Sequence, residues 1–431
     1  MQYNSYICYN YLIALSNMAS ELSYFRRVYM NYSAEIPYGT YWSTPFSKWQ
    51  GSLSSLHSLE FAAWVAKKEL EKRNISAEVF DHAVLGTTIP QKHSFYGAPW
   101  VMGMIGASKV TGPTINQACA TGARLLLSGA QEIQSGLAEC SLLVAADRCS
   151  NGAHIFYPSP NSPGGTGTSE NWVMDNFNHD PLGRHAMINT ADNVAKKHSI
   201  STEQQHEVVL RRQEQYQMAL ADDHAFQKRY MTLPFDIPIP NFKKTKNSLQ
   251  SDEGIATSSK EGLSSLRPVL PEGSVTFGGQ THPADGNASL ILATQERAKE
   301  LSQDKSIQIS ILGFGSARVD LAFMPEATIP ASIQALKDAG TTIAQMDVIK
   351  SHNPFAVNDI VFANEMKIDV NMMNNYGSSL IWGHPQAPTG LRAIIEMIEE
   401  LVIRGGGKGL FQGCAAGDSS VALVLEVKNR K

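Results

Sequence analysis

Cysteine is scarce in this 431-residue chain: Cys8, Cys119, Cys140, Cys149 and Cys414 are odd in number and far apart. No pair has the Cys-x-x-Cys spacing of a zinc site, so the sequence carries no metal motif and no disulfide framework. That usage fits a reducing, cytoplasmic setting. Charge of one sign is also missing. A net charge of −4 leaves no general basic footprint for nucleic acid, and the lysines of NFKKTKNS (residues 241–248) read as a solvated loop. Apolar runs long enough to span a bilayer are absent, so no membrane segment is expected. The opening MQYNSYICYNYLIALSNMASEL lacks a basic n-region, and Asn10 and Asn17 bracket only a short apolar run. Residues 1–24 therefore read as an extension ahead of an alternative start at Met18, not as a leader or anchor.

What is present is an ordinary globular composition and a chain long enough for two or three domains. SSLHSLEFAAWVAKKELEKRN (residues 54–74) has amphipathic helical spacing, and FRRVYMNYSAEIPYG (25–39), FDHAVLGTTIP (80–90) and CSLLVAADR (140–148) read as strands. Strands alternating with helices predict an α/β layered fold. Residues 151–282 interrupt the rhythm with Pro, Gly and Ser-rich stretches and with helices from about residue 187 to 230. A long excursion of this kind usually covers a site. Beyond it the α/β rhythm resumes. ACATGARLLLSGAQEIQSGLAECSLLVAAD in the first half and GHPQAPTGLRAIIEMIEELVIRGGGKGLFQGCAAG in the second run the same course of loop, glycine-bearing helix start, helix and buried strand. A duplicated unit of this kind brings corresponding loops to a common centre.

Four loops carry residues suited to chemistry. INQACATGARLLLSGAQEI (115–133) places Cys119 where strand becomes helix, where unpaired N–H groups favour a thiolate. IWGHPQAPTG (381–390) places His384 ahead of a helix. FQGCAAGDSSVALVLE (411–426) places Cys414 at a turn between strands, and KSHNPFAVND (350–359) puts His352 and Asn353 at the end of a strand. Each has a plainer reading. Free cysteine is usually core packing, and a lone loop histidine is more often structural. Their joint occurrence in this order favours catalysis.

The chain resembles the thiolase family from about residue 25 to its end. NQACATG resembles the family's nucleophile motif, Gly383-His384-Pro385 its Gly-His-Pro motif, and GCAAGD its second-cysteine motif. MINTADNVAKKHSIS and MPEATIPASIQALKDAG give weaker matches. The resemblance implies a five-layered αβαβα fold of two duplicated halves, 25–150 plus 283–304 and 305–431. Residues 151–282 would form a loop domain over the coenzyme A site. It also implies thiolytic cleavage of a 3-oxoacyl-CoA, with coenzyme A as substrate and no tightly bound cofactor. Cys119 would be acylated, His384 would take its proton, and Cys414 would serve as acid and base. His352, with a held water, and the backbone N–H groups of Cys119 and Ala416 would stabilise oxyanions, with Asn353 beside them. Thr281, His282, Phe355 and Trp382 would contact coenzyme A or the acyl group. A homodimer core is implied.

The sequence departs from the family in three places. HNPF puts His352 where most thiolases have asparagine, as in the sterol-carrier type. Ala416, Asp418, Ser419 and Ser420 stand in a usually glycine-rich turn. GQTHPADGNA (279–288) puts His282 and Pro283 near the expected acyl path, with Thr281 at a serine position. Phe95, Tyr96, Trp100, Phe156, Tyr157, Trp172 and Trp382 fall in loops expected to line the site. Together with HNPF they point to an aromatic acyl group, as in benzoylsuccinyl-CoA thiolases. That type resembles thiolases working with a small zinc-ribbon/OB-fold subunit, which would carry any metal. The alternatives are a short-chain acetoacetyl-CoA or sterol-carrier-type thiolase, a ketoacyl synthase (disfavoured by the second cysteine), a non-catalytic coenzyme A-binding scaffold, and a Cys–His hydrolase.

Overall fold

The computed structural model describes residues 32–430. The extension 1–24, Cys8 and the start of the expected first strand lie outside them. The first half contains β1 (Ala34–Glu35), β2 (Tyr41–Ser43), α1 (Ser58–Lys72), β3 (His82–Gly86), α2 (Thr121–Gln134) and β4 (Cys140–Arg148). An excursion follows that contains α3 (Met187–Lys197) and α4 (Thr202–His224). The latter leaves helical angles at Ala221. The half closes with β5 (Ala284–Thr294). The second half runs β6 (Ile307–Arg318), α5 (Thr328–Asp338), β7 (Val348–His352), α6 (Ala356–Met366), α7 (Ala387–Ile403), β8 (Gly406–Ala415) and β9 (Ser419–Asn429).

Strand pairing repeats between the halves. β3 lies parallel to β4, β4 antiparallel to β5, and β5 antiparallel to β2. Likewise β7 lies parallel to β8, β8 antiparallel to β9, and β9 antiparallel to β6. β1 pairs with both β5 and β6 and joins the halves into one sheet path.

Side-chain alternation builds the layers. On β4, Leu142, Val144 and Ala146 face an outer core with α1, whereas Leu143 and Ala145 face inward. On β9, Ala422 and Val424 pack outward with α5, whereas Val421, Leu423 and Leu425 face inward. Between the inward faces lie α2 and α7, whose Leu125, Leu126, Leu391 and Ile394 join the same core. The order is helix, sheet, helix, sheet, helix. Because β4 and the middle of β9 are buried on both faces, their sequences read as near-continuous apolar runs.

The two central helices touch at their N-terminal ends. A Cβ on Gly122 would stand 2.5 Å from the Leu391 nitrogen and 2.7 Å from the Ala387 oxygen. Only glycine permits that approach, and it brings the residues preceding both helices to one place.

Candidate active site

Cys119 sits just ahead of α2 in a turn closed by short polar side chains. Asn116 Oδ1 accepts the Ala118 N–H (2.9 Å), and Thr121 Oγ1 accepts the Gln117 N–H (2.9 Å) while donating to the Ala118 carbonyl (2.7 Å). Ala118 adopts a φ of 44°, an uncommon angle for a residue with a side chain. The entry to α7 is equally constrained. Gly383 has φ 94° and Gln386 φ 62°. The His384 N–H donates to the His282 carbonyl (2.9 Å). The Ala387 N–H donates to buried Asp147 (3.0 Å), which also accepts from Thr87, Thr88 and Ile89. Asp147, at the end of β4, therefore ties the first half to the start of α7.

These constraints bring sulfur and imidazole together. Cys119 Sγ and one ring nitrogen each of His352 and His384 lie within 4.8 Å of one another. The two imidazoles stack with centroids 4.1 Å apart. His352 Nδ1 meets Ser379 Oγ at 2.9 Å. That hydroxyl donates to Asn353 Oδ1, so it accepts from His352, whose Nε2 then carries the lone pair. His384 Nδ1 meets Thr389 Oγ1 at 2.6 Å. Both Nε2 atoms are buried without a hydrogen-bond partner among the described residues. The Cys119 thiol donates to Gln386 Oε1 (3.2 Å), and Asn358 Nδ2 donates to Cys414 Sγ (3.2 Å).

Burial governs the proton affinities. It pushes the Cys119 thiol up to about 12, although the backbone N–H groups of Ala416 and Cys119 act against it. Burial thus opposes the stabilisation that the helix N-terminus offers a thiolate at the partly exposed Cys119. Burial raises Cys414 further, and charge on Cys119 adds to that rise. It lowers His384 to about 3 and His352 well below the ordinary imidazole value.

Cys119 and His384 open onto a cavity of about 810 Å³. Its wall includes Trp172, Phe177, Ile188, Phe277, Met324 and Phe355, together with Thr281, His282, Gln386 and Ala416. No Lys or Arg lines it among the described residues.

The family models described as "Thiolase, N-terminal domain" and "Thiolase, C-terminal domain" match residues 41–296 and 305–427. The chain belongs to the thiolase family. It is accordingly an acyltransferase, and coenzyme A-dependent thiolytic chemistry goes with that family. The acetyl-CoA acetyltransferase of Allochromatium vinosum is 28% identical over 87% of this chain and 95% of its own length. The mitochondrial 3-ketoacyl-CoA thiolase of Homo sapiens is 27% identical over 89% of this chain and 96% of its own. The crystal structure of human mitochondrial 3-ketoacyl-CoA thiolase superposes with a TM-score of 0.83 at 25% identity, covering 92% of this chain and 99% of that one. A complex of that human thiolase with CoA gives a TM-score of 0.82.

Within this thiolase fold, Cys119, His384, His352 and Ala416 come together, and Thr281, His282 and Phe355 line the cavity. Cys414 is fully buried behind Cys119, held by Asn358. Four of the expected residues are not on the cavity wall: His352, Asn353, Trp382 and Cys414. Trp382 ends the short helix Ser379–Trp382, is fully buried, and lies over the Arg392 guanidinium 4.4 Å from its centre and edge-on to Phe46. Asn353 is committed to a network: its Nδ2 donates to Asp359 (2.7 Å), and its Oδ1 accepts from Ser379 and the Leu380 N–H. The aromatic wall is likewise corrected. Trp172 lines the cavity, but Phe95 and Tyr96 project into solvent, Phe156 and Tyr157 sit on an exposed hairpin, and Trp100 packs against His57. Gln386, Asn358, Thr389, Ser379 and Asp147 were missed. Gln386 lies inside the quoted Gly-His-Pro segment, and Asp147 ends an otherwise apolar strand, a signal of buried function.

Proposed function

We propose that this protein cleaves a 3-oxoacyl-CoA by thiolysis through an acyl-Cys119 intermediate. The observation carrying this reading is the cluster of Cys119 Sγ with two buried imidazole nitrogens, of which Cys119 and His384 line one cavity and His352 is buried beside them. His384 Nε2 takes the thiol proton as sulfur attacks the 3-oxo carbonyl. The tetrahedral oxyanion is met by the N–H groups of Cys119 and Ala416. The C–C bond breaks, the acyl group stays on sulfur, and the departing enolate thioester takes a proton from Cys414. His352 Nε2 holds a water that donates to the enolate oxygen. Cys414 thiolate then takes the proton of the incoming CoA thiol, whose sulfur attacks the acyl-cysteine, and His384 returns its proton to Cys119. A thiol whose affinity for its proton is raised by burial suits the first role of Cys414.

The apolar, aromatic-bearing cavity favours a bulky acyl group, and benzoylsuccinyl-CoA is the named candidate, giving benzoyl-CoA and succinyl-CoA. Its free carboxylate would be met by amides and His282, since no cation lines the wall. The second reading is acetoacetyl-CoA, favoured by the names of the curated relatives. Residues 151–282 serve in this proposal as the loop domain between the halves 25–150 plus 283–304 and 305–431. A homodimer core is proposed through the sheet edge Thr114–Ile115, which ends the strand order beside the Cys119 turn. A small zinc-ribbon/OB-fold subunit is proposed on the exposed aromatic groups of the loop domain, Phe156 and Tyr157. Among the described residues no helix is long and apolar enough to cross a membrane. The described cysteines are unpaired, which supports a cytoplasmic setting. The test is a panel assay with CoA, with and without a candidate small subunit, comparing acetoacetyl-CoA with an aryl-3-oxoacyl-CoA. Rapid cleavage of acetoacetyl-CoA by the chain alone would overturn the aromatic, partner-dependent reading. Inertness toward every 3-oxoacyl-CoA would overturn thiolysis.

A further inference from the structure

We propose that Cys119, His352 and His384 form an inhibitory binding site for a thiophilic divalent cation such as Zn²⁺. The three ligand atoms come from the α2 entry, the end of β7 and the α7 entry, so no spacing in the sequence announces them. They already lie within 4.8 Å of one another. Zinc takes sulfur at about 2.3 Å and nitrogen at about 2.0–2.1 Å, so closing the triangle takes a shift of roughly 1 Å together with a turn of the two imidazoles out of their stack. The two imidazoles are built as ligands. His352 is fully buried and His384 is 5% exposed. Each has its Nδ1 held by a hydroxyl, Ser379 and Thr389 respectively, and each has an unpartnered Nε2. Holding the distal nitrogen in this way orients a metal-binding histidine. Two of the three ligands, Cys119 and His384, line the cavity, which leaves room for a water as fourth ligand, as in open zinc sites.

Binding releases one proton. The metal replaces the hydrogen on Cys119 sulfur, the proton leaves to solvent, two Nε2–metal bonds form, and nothing is oxidised or reduced. Two neutral imidazoles, one thiolate and a dication leave a single positive charge. Asp147 lies close enough to act electrostatically on Cys119, and no Lys or Arg lines the wall to oppose the ion. The donor set selects zinc, cobalt or cadmium over magnesium, which prefers oxygen. An ion held here blocks the sulfur that would be acylated. His352 is decisive, because an asparagine at that position offers no imidazole.

The test reads metal binding without substrate, so its outcome is separate from that of the thiolysis assay. The full chain is titrated with Co²⁺ alone under anaerobic conditions. Expected are one equivalent per chain, a near-ultraviolet thiolate-to-cobalt charge-transfer band, tetrahedral visible bands, and displacement by Zn²⁺ but not Mg²⁺. Cys119→Ser and iodoacetamide-treated wild type should both lose the charge-transfer band. His352→Asn should weaken binding about tenfold or more, with circular dichroism checking each fold. Absence of saturable binding, or a band that persists in Cys119→Ser, overturns the proposal. So does unchanged affinity in His352→Asn.

Discussion

At Cys119 two effects oppose each other. The end of α2 offers N–H groups to a thiolate, an effect of about 2 kcal/mol at most, while removal from water favours the thiol. Burial pushes the thiol up to about 12, against the pull of the Ala416 and Cys119 N–H groups. Alkylation of Cys119 by iodoacetamide, followed by peptide mass spectrometry, should therefore keep accelerating above about pH 9 without levelling off near neutrality. A plateau near pH 7 would contradict the burial argument. The histidines carry the opposite shift. His384 in the folded chain binds a proton only near pH 3, against an ordinary 6.5. Between those values the unfolded chain holds more protons than the folded one, so stability falls as pH falls. The contribution is complete above about pH 6.5 and lost toward pH 3. Thermal melts should show a steeper decline between about pH 7 and about pH 4 for the wild type than for His384→Asn. His352→Ala removes the nitrogen proposed to hold a water and should lower kcat by about 100- to 1,000-fold, with a smaller loss in His352→Asn. Steady-state thiolysis kinetics measure the difference.

At the scale of elements, the site depends on how closely α2 approaches α7. The Cβ of Gly122→Ala would press on the backbone of Ala387 and Leu391, which has no flexible end to give way. Separation of the helices should cost about 1–3 kcal/mol in urea denaturation. The same shift should reduce kcat, because Cys119 and His384 precede these helices. Much at this scale was legible. α1, α2, β4 and β7 arise where periodicity or apolar runs indicate them, and Cys119, His384 and Cys414 stood out because their motifs are ordered. What was not legible depends on direction. Trp382 adjoins the Gly-His-Pro motif, yet one helical turn from Ser379 sends its ring into the core. Gln386 reaches the thiol only because its φ of 62° reverses the chain, which no pattern of residue types encodes. Asn358, a buried polar residue on α6, is explained only once Cys414 is seen beside it.

For the molecule as a whole, a buried ionic cluster binds the excursion between β4 and β5 to the central layer. Arg392 of α7 pairs with both oxygens of Asp252, beneath Phe46 and Trp382. Tyr216 of α4 donates to Asp252 (3.0 Å), and Tyr230 donates to Glu396 (2.8 Å). Removing one member of such a pair strands the other in a low-dielectric interior. Asp252→Ala should lower unfolding stability by about 3–5 kcal/mol in chemical denaturation, far more than loss of the surface pair Lys228–Asp223. Equal losses would mean that water reaches the cluster.

The contact between Gly122 and the start of α7 also divides the labour between the two repeats. The first contributes the sulfur proposed to be acylated, and the second contributes both imidazoles and the other thiol. Neither repeat holds the whole proposed set, so turnover by that route would report on whether the two remain docked. A chain loosened only along this seam would fall silent while each sheet kept its strands.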